Sequence, residues 1–129
     1  MQDVTVAPHF VKCMLEGARI KGYNVEEILK AQGIPVQILS NPKLRISTKS
    51  FAALGSSIIQ LLQDETFGLL EKPQPIGTLH FLLFACLSAR TIEESLRLWK
   101  KGVNLIENSL SITFQATEET GTLTIRCKK

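Results

Sequence analysis

"SLSITFQATEETGTLTIRC", Ser109 to Cys127, is where the spacing of apolar residues changes along this chain. Leu110, Ile112, Phe114 and Ala116 alternate with Ser111, Thr113 and Gln115. After "TEETG", with Gly121 as turn residue, Leu123, Ile125 and Cys127 alternate with Thr124 and Arg126. Successive side chains of a strand point to opposite faces, so each half reads as a half-buried strand and the pair as a hairpin. Upstream of it the apolar stripes have helical spacing. About five helices followed by a C-terminal β-hairpin make an α+β fold. A lone hairpin is a marginal sheet. The two strands are therefore expected to be part of a larger sheet, truncated where the sequence stops at Lys129.

Immediately upstream, Ile92, Leu96, Trp99, Val103 and Ile106 form one inner helical stripe, widened by Leu98, Gly102 and Leu105. Arg97, Lys100, Lys101 and Asn104 are left for the outside. Thr91 with Glu94 is a capping box that starts this helix. Before it, "LHFLLFACLSA", Leu79 to Ala89, is apolar nearly all round and reads as the buried centre of the domain. A third helix, capped by Ser47 or Thr48, carries Phe51, Leu54, Gly55, Ile58, Leu61 and Leu62 inward and runs to about Asp64.

The N-terminal part is punctuated more heavily. Pro8 suits the first position of a helix whose stripe is Phe10, Val11, Met14, Leu15 and Ala18, with Gly22 as its stop. Asn24 with Glu27 caps a short second helix, ended by Gly33 and Pro35. A helical turn over 36–39, a turn at Asn41-Pro42 and an extended piece over 44–46 follow.

Between the third and fourth helices lies "DETFGLLEKPQPIGTL", Asp64 to Leu79. Its prolines and glycines make it a loop, yet Phe67, Leu69, Leu70, Ile76 and Leu79 are apolar. The reading is a pinned connection. Phe67, Leu69 and Leu70 tuck under the flanking helices, Pro73 and Pro75 stiffen the crossing, and Gly77 admits the chain to the next helix.

The bulk properties bound the class. The chain has 129 residues, 44% hydrophobic and 21% charged, with a net charge of +3. That is enough apolar material for one domain, residues 1–129, with a core. The basic residues are scattered, and only Lys100-Lys101 and Lys128-Lys129 are adjacent. A dedicated nucleic-acid surface would cluster them. The longest apolar run falls far short of the ~20 residues of a membrane span. No signal-peptide pattern opens the chain, so a cytoplasmic, non-membrane protein is expected. Cys13, Cys86 and Cys127 are widely spaced and odd in number, which argues against a disulfide framework or a zinc site.

Chemistry is sparse. No G-x-S-x-G elbow, phosphate loop or dinucleotide fingerprint occurs. The paired acids Glu26-Glu27, Glu93-Glu94 and Glu118-Glu119 fall at helix starts or in the hairpin turn, where capping and the helix dipole explain them. The expectation is no enzyme, no cofactor and no metal. "VEEILKAQGIPVQIL" has a helix-turn-helix flavour, but its second segment is short and apolar, unlike a recognition helix. His80 stands inside the most apolar segment, with no second ligand at metal spacing. It reads first as structural and second as a polar contact in a ligand pocket. Phe81, Phe84 and Trp99 are the aromatic candidates for that pocket, against the plainer reading of core.

Several pieces in this order resemble one family. They are "NVEEILKAQGI", "RISTKSFAALGSSIIQLLQDETFGLL", Gly77 opening an apolar helix, "ACLSARTIEESLRLW" and the alternating strands. The run D-x-x-F-G-L, Asp64 to Leu69, and "SARTIEESL", Ser88 to Leu96, are its most recognisable pieces. From about Asn24 to Ile125 the chain resembles the N-terminal, arabinose-binding-like sensor domain of AraC/XylS-type bacterial transcription regulators. The resemblance implies a regulatory domain that senses an unknown small-molecule effector, with homodimerisation as a second role. DNA would be bound only through a C-terminal helix-turn-helix unit, of which this sequence has none. A sugar effector does not follow from it. Ligand contacts are expected at His80, Phe81, Phe84 and Trp99. The alternative is a protein–protein interaction or oligomerisation module without a small ligand, pairing through the strand edge 122–127.

Overall fold

The computed structural model describes residues 4–106 and 109–127. The Lys128-Lys129 pair lies outside the described residues. The element order is β1 (Thr5–Val6), α1 (Pro8–Ile20), α2 (Val25–Ala31), a 3-10 turn (Val36–Leu39), β2 (Ile46–Ser47), α3 (Thr48–Leu62), α4 (Thr78–Cys86), α5 (Ile92–Ile106), β3 (Leu110–Ala116) and β4 (Gly121–Cys127). Five helices and a C-terminal antiparallel hairpin make the fold α+β. The chain divides into two compact units, Met1–Ile76 and Gly77–Lys129.

In the first unit, side-chain caps set the helix starts. The Asn24 side-chain oxygen accepts from Glu26 N at 3.0 Å and Glu27 N at 3.4 Å, opening α2. Ser47 Oγ accepts from Ser50 N at 3.0 Å, opening α3. Each supplies a partner to helix N–H groups that have none within the helix. Val11 and Leu15 of α1, Leu29 of α2, Ile34, Ile38 of the 3-10 turn, Ile46 of β2, and Leu54 and Ile58 of α3 form one buried cluster. β1, which the apolar pattern did not announce, pairs antiparallel with β2, Val6 opposite Ile46. Two residues are too few to show a period. What ties them is Arg45, whose Nε donates to Thr5 Oγ1 at 2.6 Å and Nη2 to the Thr5 carbonyl at 2.9 Å.

Some expected core residues stand in solvent. Phe10 is 58% exposed. It lies about 100° round the helix from Val11, and the Val11–Leu15–Ala18 side is the one that meets the core. Leu61 is also exposed, at the end of α3, and in the connection Leu69 and Ile76 are exposed while Phe67 packs against the cluster.

In the second unit, α4 packs on α5, and α5 packs on β3. β3 and β4 pair antiparallel, Phe114 opposite Leu123 and Ile112 opposite Ile125. Ile112 and Phe114 are buried, whereas β4 is largely exposed. The expectation of an all-round buried fourth helix is corrected. Leu82 alone is buried on α4, and Leu79, Phe81, Leu83 and Phe84 are exposed, as is Leu87 just after the helix. Only the Leu82 side is covered by α5, where Leu82 Cδ2 lies 2.5 Å from the position a Cβ on Gly102 would take.

The faces of α5 are corrected too. No residue of it is fully buried, and Ile92 is 81% exposed. Two of its polar residues reach the hairpin. Arg97 lies over the Phe114 ring, 5.3 Å from the centroid. The Asn104 amide donates to the Ile112 carbonyl at 3.2 Å and accepts from Ile112 N at 3.3 Å. A side-chain amide thereby satisfies a strand residue's backbone as a neighbouring strand would.

Candidate functional site

The connection after α3 is built around one carboxylate. Asp64 has no exposed surface. Its Oδ1 accepts from Thr66 N at 2.9 Å, Thr66 Oγ1 at 2.7 Å and Gln74 N at 2.8 Å, and its Oδ2 from Gly68 N at 3.0 Å. Burial pushes the carboxyl up, but the donors of Gln74, Thr66 and Gly68 outweigh it and hold it below the ordinary carboxylate range. Glu65 N donates to the Gln74 carbonyl at 2.9 Å, closing the loop base. Phe67, at φ 58°, and Gly68, at φ 71°, take left-handed backbone between these anchors. All four donors come from the connection itself, so the carboxylate's role on this geometry is to hold the chain.

The sequence-chosen ligand residues fall on two helices of the second unit. His80, Phe81 and Phe84 are exposed on α4, Phe81 and Phe84 each to 68%. They lie about 100–200° round the helix from Leu82, the residue that faces α5. Trp99 is half-buried on α5.

A concavity lies elsewhere in the same unit, between the first turns of α5 and the hairpin. Its volume is about 440 Å³. Ile92, Glu93 and Leu96 form the helix wall; Phe114 and its cross-strand partner Leu123 form the sheet wall; Thr117 to Gly121 close one end. The end is shaped by Thr117 N donating to the Thr120 carbonyl at 2.8 Å and Thr120 N donating to Thr117 Oγ1 at 3.0 Å. Glu93 is engaged by Arg97 at 2.6 Å, while Glu118 and Glu119 stand exposed at the rim. The floor is apolar and the rim acidic. A second concavity, about 430 Å³, runs along α5 between Arg97, Lys100, Lys101, Asn104 and Leu105 and is basic.

Sequence reading placed Phe114 and Leu123 inward and Ile92 and Leu96 on one stripe, but it did not join the two sets. The available signal was the hairpin register, which puts Phe114 opposite Leu123. Among the described residues no group of three or more His, Cys, Asp or Glu could hold a metal ion. No described helix is long and apolar enough to cross a membrane.

Comparison with known proteins identifies one family. The profile described as the arabinose-binding domain of AraC transcription regulator, N-terminal, matches residues 22–129. Among curated proteins, none matches the chain.

Proposed function

The chain belongs to the family of N-terminal arabinose-binding domains of AraC transcription regulators, a regulatory rather than an enzyme family, and on that premise we propose that it senses a small molecule. The effector would occupy the groove between α5 and the hairpin. The observation that carries this reading is the groove's make-up: about 440 Å³, aromatic and aliphatic side chains from both walls, hydroxyl and carboxylate groups at the hairpin end, and Glu93 on the helix wall. Small-molecule sites combine an apolar lining with a few orienting polar groups in this size range. The acidic rim at Glu118 and Glu119 disfavours anions, so the reading prefers neutral or cationic effectors with an apolar body. Binding would act by linkage, shifting the population of domain arrangements toward the one the effector prefers. DNA would be contacted by a separate helix-turn-helix unit of the regulator, in the cytoplasm.

A second reading keeps the contacts at His80, Phe81, Phe84 and Trp99. The observation favouring it is the exposure of Phe81 and Phe84 on α4, since clustered exposed apolar side chains mark surfaces that become covered. The cover could be an effector or, in a homodimer, a second copy.

A thermal-shift screen against amino acids, fatty acids, aromatics and sugars tests both, because a ligand of the folded state raises its melting temperature by mass action. The groove reading expects a shift that Ile92→Asp abolishes. A shift that survives Ile92→Asp and disappears in Phe81→Ala/Phe84→Ala moves the site to α4. If no class of compound stabilises the protein, the effector reading falls.

A further inference from the structure

We propose that the outer edge of β4 pairs antiparallel with the same edge of a second copy of this chain, centred on Thr124, and that both α5 helices then lie on one face of a four-stranded sheet. Hydrogen bonding within the unit fixes which edge is open. Ile112 gives its N–H and carbonyl to the Asn104 amide, so the outer edge of β3 is engaged at its middle. Across the turn, Thr117 N donates to the Thr120 carbonyl. Backbone groups of an antiparallel strand point alternately at the partner and away from it. Counting from that turn, Thr122, Thr124 and Arg126 direct theirs at β3, and Gly121, Leu123 and Ile125 direct theirs outward. Among the described residues nothing bonds the outward groups of Leu123 and Ile125.

The edge carries none of the devices that discourage pairing. β4 has no proline, no lysine and no bulge, each residue from Gly121 to Cys127 pairing one for one with β3. It also matches itself. The strand pairs with a two-fold copy over its whole length only when Thr124 meets Thr124. That register sets Leu123 opposite Ile125 and Thr122 opposite Arg126, so apolar side chains meet apolar ones and the arginines stand apart. A register centred on Arg126 would oppose the two arginines.

The helix above the sheet supplies a second reason. Leu123 and Ile125 lie opposite Phe114 and Ile112, on the α5 side of the hairpin. Ile92 and Leu96 face Leu123 across the groove. The apolar stripe of α5, continued by Trp99, Val103 and Ile106, therefore lies on the β4 side of the helix. Ile92 and Ile106 are exposed, and Leu96, Trp99 and Val103 are half-buried. A two-fold axis through the paired Thr124 residues, normal to the sheet, turns both stripes toward itself. The pairing covers apolar surface that one hairpin leaves open and supplies the further strands a stable sheet needs. It uses the backbone of Leu123 and stands whether or not an effector fills the groove.

Sedimentation equilibrium of the whole chain over a range of concentrations tests the pairing. The expected result is a monomer–dimer equilibrium, weakened about tenfold or more in Ile125→Pro, whose missing N–H is one that points away from β3. Cross-linking reads the register without relying on that variant's folding. In a Cys13→Ser/Cys127→Ser background, Thr124→Cys sets two thiols on Cα atoms ~4.5 Å apart, within disulfide reach, whereas Thr122→Cys sets them ~14 Å apart. Mild oxidation, with the linked residue identified by peptide mass spectrometry, is expected to join the first about tenfold faster than the second. A chain that stays monomeric, or equal cross-linking of the two variants, would overturn the proposal. So would a dimer that keeps its affinity in Ile125→Pro and loses it in Phe81→Ala/Phe84→Ala, which places the second copy on α4.

Discussion

Gly17 on α1 lies directly beneath the carbonyl of Phe67, so closely that a Cβ on Gly17 would collide with that oxygen. The loop backbone at 67–68 is seated on the helix at the one point where the helix has no side chain. The same loop is also held by Asp64. The connection is therefore fixed both by a missing methyl group on α1 and by a buried anion.

Gly17→Ala removes that seat. The obstacle is backbone, which cannot rotate away as a side chain would. The substitution is expected to cost about 3 kcal/mol, at the upper end of overpacking effects. Urea unfolding of the first unit measures it, and a loss below about 1 kcal/mol would contradict the close seat.

Asp64→Asn replaces an acceptor of four hydrogen bonds by a group that accepts at one atom only. With the amide oxygen in the Oδ1 position Thr66 and Gln74 keep their acceptor, but Gly68 N is left facing an NH2 donor, which is expected to cost about 2–3 kcal/mol. The pH dependence has a definite sign. The folded carboxyl titrates below its ordinary value, so its contribution is fully present above the unfolded pKa of ~3.9 and is lost as pH falls through the folded value. The wild-type chain should therefore lose stability on acidification below about pH 4 more steeply than Asp64→Asn. Parallel acid titrations of the two proteins would refute this.

Phe67→Ala is expected to cost about 2 kcal/mol, less than the ~3–5 kcal/mol of a fully buried phenylalanine. The ring is half-buried against the first unit's core, near Gly55, and its backbone strain remains with alanine. Phe67→Gly relieves the left-handed backbone by ~1 kcal/mol and should be less damaging than its lost side chain implies. Chemical denaturation of the two variants ranks them.

Asn104→Ala leaves the Ile112 N–H and carbonyl without their side-chain partner. The expected loss is about 1–2 kcal/mol, read most directly as faster amide exchange at Ile112. Protection equal to wild type would show that the amide bridge contributes nothing to β3.

Glu118→Gln/Glu119→Gln removes the exposed charge of the groove's rim. Phenethylamine is expected to raise the melting temperature of the wild-type chain more than phenylacetate does, and the double variant should lose that difference. The groove's role would be refuted by an equal response to both probes in the wild-type chain.

Much of the secondary structure was legible because it is written locally. Pro8, Asn24, Ser47 and Thr91 mark helix starts through groups at most a turn away, and Asn24, Ser47 and Thr91 make the cap hydrogen bonds that the sequence implies. The alternation of Leu110, Ile112 and Phe114 likewise named both the strand and its inner face. The illegible part was which surface each face would meet. Arg97 and Asn104 read as outward residues of α5, yet they carry the contact with the hairpin. Ile92 and most apolar residues of α4, Leu82 excepted, read as core and stand in solvent. Of the ligand candidates, the sequence could name aromatic residues but not where they stand, and Phe81 and Phe84 are exposed on α4 while Trp99 is half-buried on α5.

The sequence by itself determined the order of the helices, the capped starts of α2, α3 and α5, the hairpin and the family, because propensity, periodicity and turn chemistry act between residues a few positions apart. The tertiary structure alone decided that Asp64 is a buried anchor gathering donors up to ten residues away, that Phe67 sits on Gly17, and that α5 and the hairpin leave a groove between them. Those outcomes depend on which distant groups share a surface, and desolvation and steric fit choose among partners that a linear pattern leaves equivalent.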